Sequence, residues 1–203
     1  MEKKRLSQGE IIKQLSDKEL MIQMYLSQGL ILMIGIISSL FLIDSWYSLI
    51  ELNWKQLFLF GFLPALFIVF IDFVLMRYLP ERYYDDDGIN KRIFTSMSYW
   101  HIPIFVLFVA IAEELLFRGV IQSTFGYIIA SLTFALVHIR YLRKPVLLVS
   151  ILLMSFFIGF LYEITDNLLV TIVTHFFVDL LLALLLKWKW GDFVDNKSGA
   201  VPK

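Results

Sequence analysis

Residues 101–119 read HIPIFVLFVAIAEELLFRG, and the architecture of the chain turns on how that stretch is understood. From Ile102 to Ala112 it carries no charge; then come Glu113, Glu114 and, one turn later, Arg118. A charged side chain at mid-bilayer costs roughly 2.5–3.5 kcal/mol to insert, so a spanning segment that carries three must find partners for them inside the protein. On a helix Glu114 and Arg118 lie four residues apart and can pair, with the acid on the favoured N-terminal side. Glu113 points about 100° away from that pair. One glutamate therefore has a structural partner, and the other is left for chemistry.

The rest of the chain agrees with a membrane setting. Its 203 residues are 59% hydrophobic and 18% charged, with 19 Phe, against about 45–50% and about 25% in soluble domains. Mean hydropathy is +0.73. A soluble domain of this size could not hide so much apolar surface, which makes a water-soluble enzyme, a disordered chain and a coiled coil all poor fits. A net charge of zero provides no field to recruit nucleic acid. The lack of cysteine excludes disulfides, thiolate metal sites, a thiol nucleophile and prenylation of the chain itself. The expected fold class is all-α: a polytopic helical membrane protein, about six transmembrane helices around an intramembrane polar site.

Six apolar stretches, at about 24–43, 57–76, 101–118, 121–139, 146–162 and 168–186, each approach the roughly 20 residues a spanning helix needs. With both termini in the cytoplasm, every Lys and Arg except Lys55 and Arg118 falls on the cytoplasmic side, as the positive-inside rule asks. Trp46, Trp54, Trp100, Trp188 and Trp190 lie near span ends, where interfacial anchors belong. The fourth stretch is the least regular. Gly119 and Gln122-Ser123-Thr124 shorten its apolar run, so part of 119–139 is expected to be broken or re-entrant beside a cavity. The chain divides into a cytoplasmic amphipathic segment (1–19), two spans with a basic cytoplasmic loop (20–100), a core (101–187) and a cytoplasmic tail (188–203). Ile11, Ile12, Leu15 and Leu20 give the first segment an apolar face for the membrane surface.

Two of the three histidines stand in pattern with other chemistry-bearing residues. His138 follows Phe134 by one turn, and His175 precedes Asp179 by one turn, which puts each pair on one helix face. His101, beside Trp100 and Pro103, reads as an interfacial bystander. Asp72, inside the second span, is expected to find a hydrogen-bond partner or line a cavity. Asp85-Asp86-Asp87-Gly88 fails as a calcium loop, because Ile89 fills a ligand position and Ser96 stands where a glutamate is needed. Glu163, Asp166 and Asn167 read as a solvated outer loop.

Glu113-Glu114-x-x-x-Arg118, Phe134-x-x-x-His138 and His175-x-x-x-Asp179, in that order on successive hydrophobic segments, resemble the CPBP family. That family groups CAAX proteases with bacteriocin-processing enzymes and is also called the Abi family of intramembrane proteases. The resemblance covers about 113–179 and implies a polytopic membrane endopeptidase. By match, Glu113 and His138 would activate the attacking water, while His175 and Asp179 would act on the oxyanion or bind a metal. Glu114, Arg118 and Phe134 would support the site. Prenyl proteases of the family usually carry Asn where this chain has Asp179, a departure that weighs against a prenylated substrate.

The residues alone leave two mechanisms open. Peptide hydrolysis needs a base for water, a stabiliser for the oxyanion and an acid for the leaving amine. Without a metal, Glu113 serves as base and Asp179 must be protonated or only orient His175. With one, Glu113, His138, His175 and Asp179 would supply the ligands of a divalent ion such as zinc. The usual His-Glu-x-x-His zinc signature is absent. The expected partners are the lipid bilayer and a membrane-associated peptide or protein, with no nucleic acid. Two rivals are a non-catalytic immunity or scaffold protein of the same fold and an ion-coupled transporter. Transport fits less well, because polar residues concentrate in the second half and not in two repeats. Geometry sets one condition: Glu113 lies about 18 Å along a straight helix from His101, whereas His138 lies two residues before Arg140. For them to meet, the fourth segment must tilt or break, or the basic loop must sit on an extension of the helix.

Overall fold

Ser16 opens the first long helix. Its hydroxyl accepts the backbone N–H of Glu19 at 3.3 Å, and the Glu19 carboxylate accepts the backbone N–H of Ser16 at 2.8 Å, a reciprocal cap for donors that a helix start leaves open. The computed structural model describes residues 14–46, 49–80, 83–141 and 144–198. The expected surface segment therefore lies outside the described residues up to residue 13, and residues 17–19 already belong to α1 (Asp17–Leu42). On α1, Gln28, Gly35 and Ser39 are buried while Leu26, Leu30, Met33, Leu40 and Phe41 are exposed. That inverts the pattern of a soluble helix; in lipid, small and polar residues go to the helix interface.

The second long helix, α2 (Trp54–Tyr78), begins after the Asn53 side chain caps Gln56 and widens into a π-helical stretch at Leu57–Phe62. Pro64 has no N–H to give the carbonyl one turn earlier. The Thr174 hydroxyl, whose shortest acceptor is the Val170 carbonyl at 2.9 Å, also lies 3.4 Å from that Phe60 oxygen and 3.2 Å from the Gly61 carbonyl oxygen. At Gly61 the backbones come so close that a Cβ would stand 2.8 Å from Val173 Cγ1. A short α3 (Ile89–Ser96) follows, its start held by Asp86, which accepts the Asn90 N–H. Asp85 accepts from the Gly88 N–H and Asp87 pairs with Lys144, so the acidic run serves turn and cap.

Residues 101–125 form one continuous helix, α4: an α-helical part His101–Glu114, a π-helical stretch Leu115–Gln122 and a last turn Ser123–Phe125. This corrects the expected boundary near residue 120. The break comes at Gly126, whose φ of 88° and ψ of 165° define a backbone region open essentially to glycine alone. Beyond it, α5 (Tyr127–Val137) has 11 residues, about half the length needed to cross the hydrocarbon core. Two long helices complete the chain, α6 (Pro145–Thr165) and α7 (Leu168–Ser198), so the expected tail begins as a continuation of α7.

The described residues are all helical or irregular, with no strand. Among the described residues, four helices are long and apolar enough to cross a membrane: α1, α2, α6 and the Leu168–Lys189 part of α7. Of the six expected stretches, the third and fourth differ from these: α4 carries three charges and α5 is a half-length helix. The protein is nonetheless an integral membrane protein by the number of its apolar helices. Helices α4 and α7 pack along each other at the centre, with α1 against α4, α2 against α7, and α5 paired with α6. Asn167, expected in solvent, is fully buried. It donates to the Glu51 carbonyl at 2.8 Å and to the Gln56 side chain at 2.7 Å, tying the α6–α7 turn to the start of α2.

Candidate active site

Glu113 and Glu114 adjoin in the chain but meet different partners, as their 100° separation requires. Glu114 is fully buried, with one carboxylate oxygen 2.8 Å from His175 Nδ1 and the other 3.3 Å from Arg118 Nε. Arg118, also fully buried, donates through one terminal nitrogen to the carbonyl and the hydroxyl of Ser155, each at 3.1 Å. Its guanidinium carbon lies 5.2 Å from the centre of the Phe134 ring, within cation–π range. The Ser155 hydroxyl in turn donates to the Ser131 carbonyl at 3.0 Å. One arginine thus joins α4 to α5 and α6, while its glutamate joins α4 to α7.

His175 lies among three carboxylates. Besides Glu114 on Nδ1, its Nε2 stands 3.4 Å from Asp179 and 3.9 Å from Glu113, the second distance being beyond a hydrogen bond. Glu113 takes its own hydrogen bond from elsewhere: Gln28 Nε2 on α1 donates to Oε1 at 2.7 Å. His138 caps the C-terminal end of α5, and its Nδ1 lies 2.8 Å from the Phe134 carbonyl oxygen. A carbonyl only accepts, so Nδ1 carries a proton, and Nε2 is the ring nitrogen left to face other partners. Phe134 stands between the two histidines, 4.9 Å from the His138 ring and 6.1 Å from the His175 ring between centroids.

All four sequence-derived candidates, Glu113, His138, His175 and Asp179, line one cavity of about 1020 Å³. Asp72 lines it too, as expected of a polar residue in a span. The wall continues to Asp85, Asp86 and Lys91 in the α2–α3 region, so Glu113 has a path to that side without sitting near it in sequence. The fourth segment does break: the turn at Gly126 sends α5 back along α4 and brings Phe134 within cation–π range of Arg118, with His138 at the far end of α5 on the cavity wall.

Among the described residues, no group of three or more His, Asp and Glu side chains is placed to hold a metal ion. The expected ligand set of Glu113, His138, His175 and Asp179 is thus not gathered as one, and no step below runs through a metal. Two site residues were not read from the sequence. Gln28 sits in an apolar run without a pattern around it, and Ser155 acts partly through its carbonyl, which no side-chain motif records. His101, expected as a bystander, has its Nε2 2.6 Å from the Tyr25 hydroxyl and thereby links α4 to α1.

Comparison with known proteins bears on this arrangement. Residues 95–181 match the family described as Rce1-like, type II CAAX prenyl endopeptidase Rce1-like. Over 150 residues the chain is 37% identical to the uncharacterized protein YpbD of Bacillus subtilis (strain 168), covering 71% of this chain and 79% of that one. No solved structure matches the chain.

Proposed function

The chain belongs to the Rce1-like family of type II CAAX prenyl endopeptidases, and from that premise we propose that Glu113 and His138 activate water to cleave a membrane-associated or lipid-modified protein. The observation that carries this reading is the shared wall. Four chemistry-bearing side chains from three helical segments line one space of about 1020 Å³, at the upper end of the roughly 300–1,000 Å³ of ligand-binding cavities. The positive-inside asymmetry supports cytoplasmic termini, which would open the mouth near residues 85–91 to the cytoplasm of a plasma-membrane protein.

In the reaction the water oxygen attacks the peptide carbonyl carbon as its proton passes to Glu113 Oε2 or His138 Nε2. The carbonyl π electrons move onto oxygen. His175 in its doubly protonated form gives Nδ1–H to Glu114 and Nε2–H to that oxyanion, and such a donor is worth about 10²–10³ in rate. The intermediate collapses with cleavage of the C–N bond, and the proton held on Glu113 or His138 goes to the leaving amine. Asp179, one turn from His175, orients its Nε2 side. Glu114, Arg118 and Phe134 hold the ring in place without reaching the substrate.

The test compares peptide termini from native cells carrying the wild type or Glu113→Gln at matched membrane levels. A set of termini formed only with the wild type is the expected result, and it also reveals the substrate. Identical termini from both strains would refute proteolysis by this site and favour a scaffold.

A further inference from the structure

Glu113 is the proposed base, yet nothing in its own helix fixes its carboxylate. Glu114 and Arg118 hold each other, and His175 is 3.9 Å from Glu113, too far for a hydrogen bond. Among the described residues, the one side-chain hydrogen bond to the Glu113 carboxylate comes from Gln28, at 2.7 Å between two buried side chains 85 residues apart in sequence. We propose that Gln28 is the positioning residue of Glu113: it occupies Oε1, fixes the rotamer, and leaves Oε2 as the oxygen that takes the proton of water. The inference rests on the reading of Glu113 as base.

The geometry of α1 delivers this amide. Gly35, two turns after Gln28 and on the same face, lies where a Cβ would stand 3.4 Å from the Leu115 side chain and the Leu116 nitrogen, so it fits α1 closely against α4. Three residues before Gln28, the Tyr25 hydroxyl meets His101 at 2.6 Å. The two contacts bracket Gln28 and set the register of α1 on α4. An ionised carboxylate only accepts, so the amide must turn its nitrogen to Glu113, and the orientation of the side chain is chemically fixed. Gln28 Oε1 is buried with no hydrogen-bond partner among the described residues, and Gln28 lines the cavity, so the same side chain has an acceptor in reserve for a water proton or a substrate N–H. Gln28 lies outside residues 95–181, the stretch that matches the family, so one part of the site is supplied from beyond it.

The test uses the full-length protein in membranes. Termini that depend on the wild type are first identified, and a peptide spanning one of them serves as substrate for the wild type, Gln28→Met, Gln28→Asn, Glu113→Gln and the Gln28→Met/Glu113→Gln pair. Met keeps the volume without a donor, and Asn keeps the donor but is one methylene short. Both should lower kcat at least tenfold with KM within twofold of the wild type. Gln28→Met should add no further loss to Glu113→Gln, because neighbours acting through one bond are not additive. Either single variant above half the wild-type kcat, or a full further loss in the double variant, would overturn the proposal. Should Gln28→Met fail to accumulate, Gln28→Asn decides by the same thresholds. If Glu113→Gln itself cleaves as the wild type does, it is the assignment of Glu113 as base that fails, a result distinct from normal cleavage by the Gln28 variants alone.

Discussion

Replacing Arg118 by Met measures what holds the polar site together. The substitution keeps an apolar stem against Phe134 but removes the contact to Glu114 and both hydrogen bonds to Ser155. Glu114, at 0% exposure, is then left with His175 as its one charged-capable partner and no route to water. Breaking a buried pair by removing one member costs about 3–5 kcal/mol, mostly for the charge left behind. In a chain of this size each kcal/mol moves the unfolding midpoint by roughly 2–4 °C, so a fall of about 6–20 °C is expected. Glu114→Gln in the same chain removes the stranded charge and should restore at least about 1 kcal/mol over Arg118→Met, a coupling that adjacent partners show and distant ones do not. The assay is thermal unfolding of detergent-purified protein followed by tryptophan emission, with both single variants and the double. A midpoint for Arg118→Met within 2 °C of the wild type, or a double variant equal to the sum of the singles, would refute the reasoning.

Gly126→Ala should cost about 1–3 kcal/mol through backbone strain, since no atom lies within 4 Å of where its Cβ would stand. It should also lower cleavage by misplacing Phe134 and His138; a wild-type midpoint with wild-type cleavage would contradict this. Gly159→Ala brings a Cβ to 2.8 Å from a Tyr127 ring pinned by its hydrogen bond to the Phe156 carbonyl, a small-to-large change worth about 1–3 kcal/mol. Gly29→Ala meets nothing within 4 Å and should be neutral or stabilise α1 by up to about 1 kcal/mol. Equal midpoints for these two variants would count against the packing described.

The sequence was most informative where a penalty had to be offset nearby. Charges in an apolar run demand partners, so the pairing of Glu114 with Arg118 and the separate direction of Glu113 could be read from spacing alone. The shared face of His175 and Asp179 was legible for the same reason. Gln28 was not, because an amide in an apolar helix has no fixed spacing to a partner 85 residues away. The break in the fourth segment is expected from its polar residues and falls within 119–139, although the residue that makes it is not the one the sequence singles out. Gly119 sits inside a π-helical stretch with its backbone helical, and the glycine that turns the chain is Gly126, recognisable only by its positive φ. Asn167 was misjudged because its hydrogen-bonding groups serve the backbone of a loop that hydropathy treats as solvent.

Burial orders the polar groups by what each can do. Side-chain exposure is 0% for Arg118 and Glu114, 3% for His175, 6% for Glu113 and 31% for Asp179. On the proposed reading a substrate reaches only the later members, and Arg118 and Glu114 act through His175 however closely they match a catalytic motif. The proposed reading also resolves a conflict built into hydrolysis within a bilayer. A base must be held still, which calls for burial, and must meet water, which calls for access. On the proposed reading the two demands fall on different atoms of one carboxylate: Oε1 is bound by Gln28 in the interface of α1 and α4, while Oε2 is left to the cavity wall. The adjacent glutamates then differ in role through the partners that a 100° turn of the helix gives them, with no difference in their own chemistry.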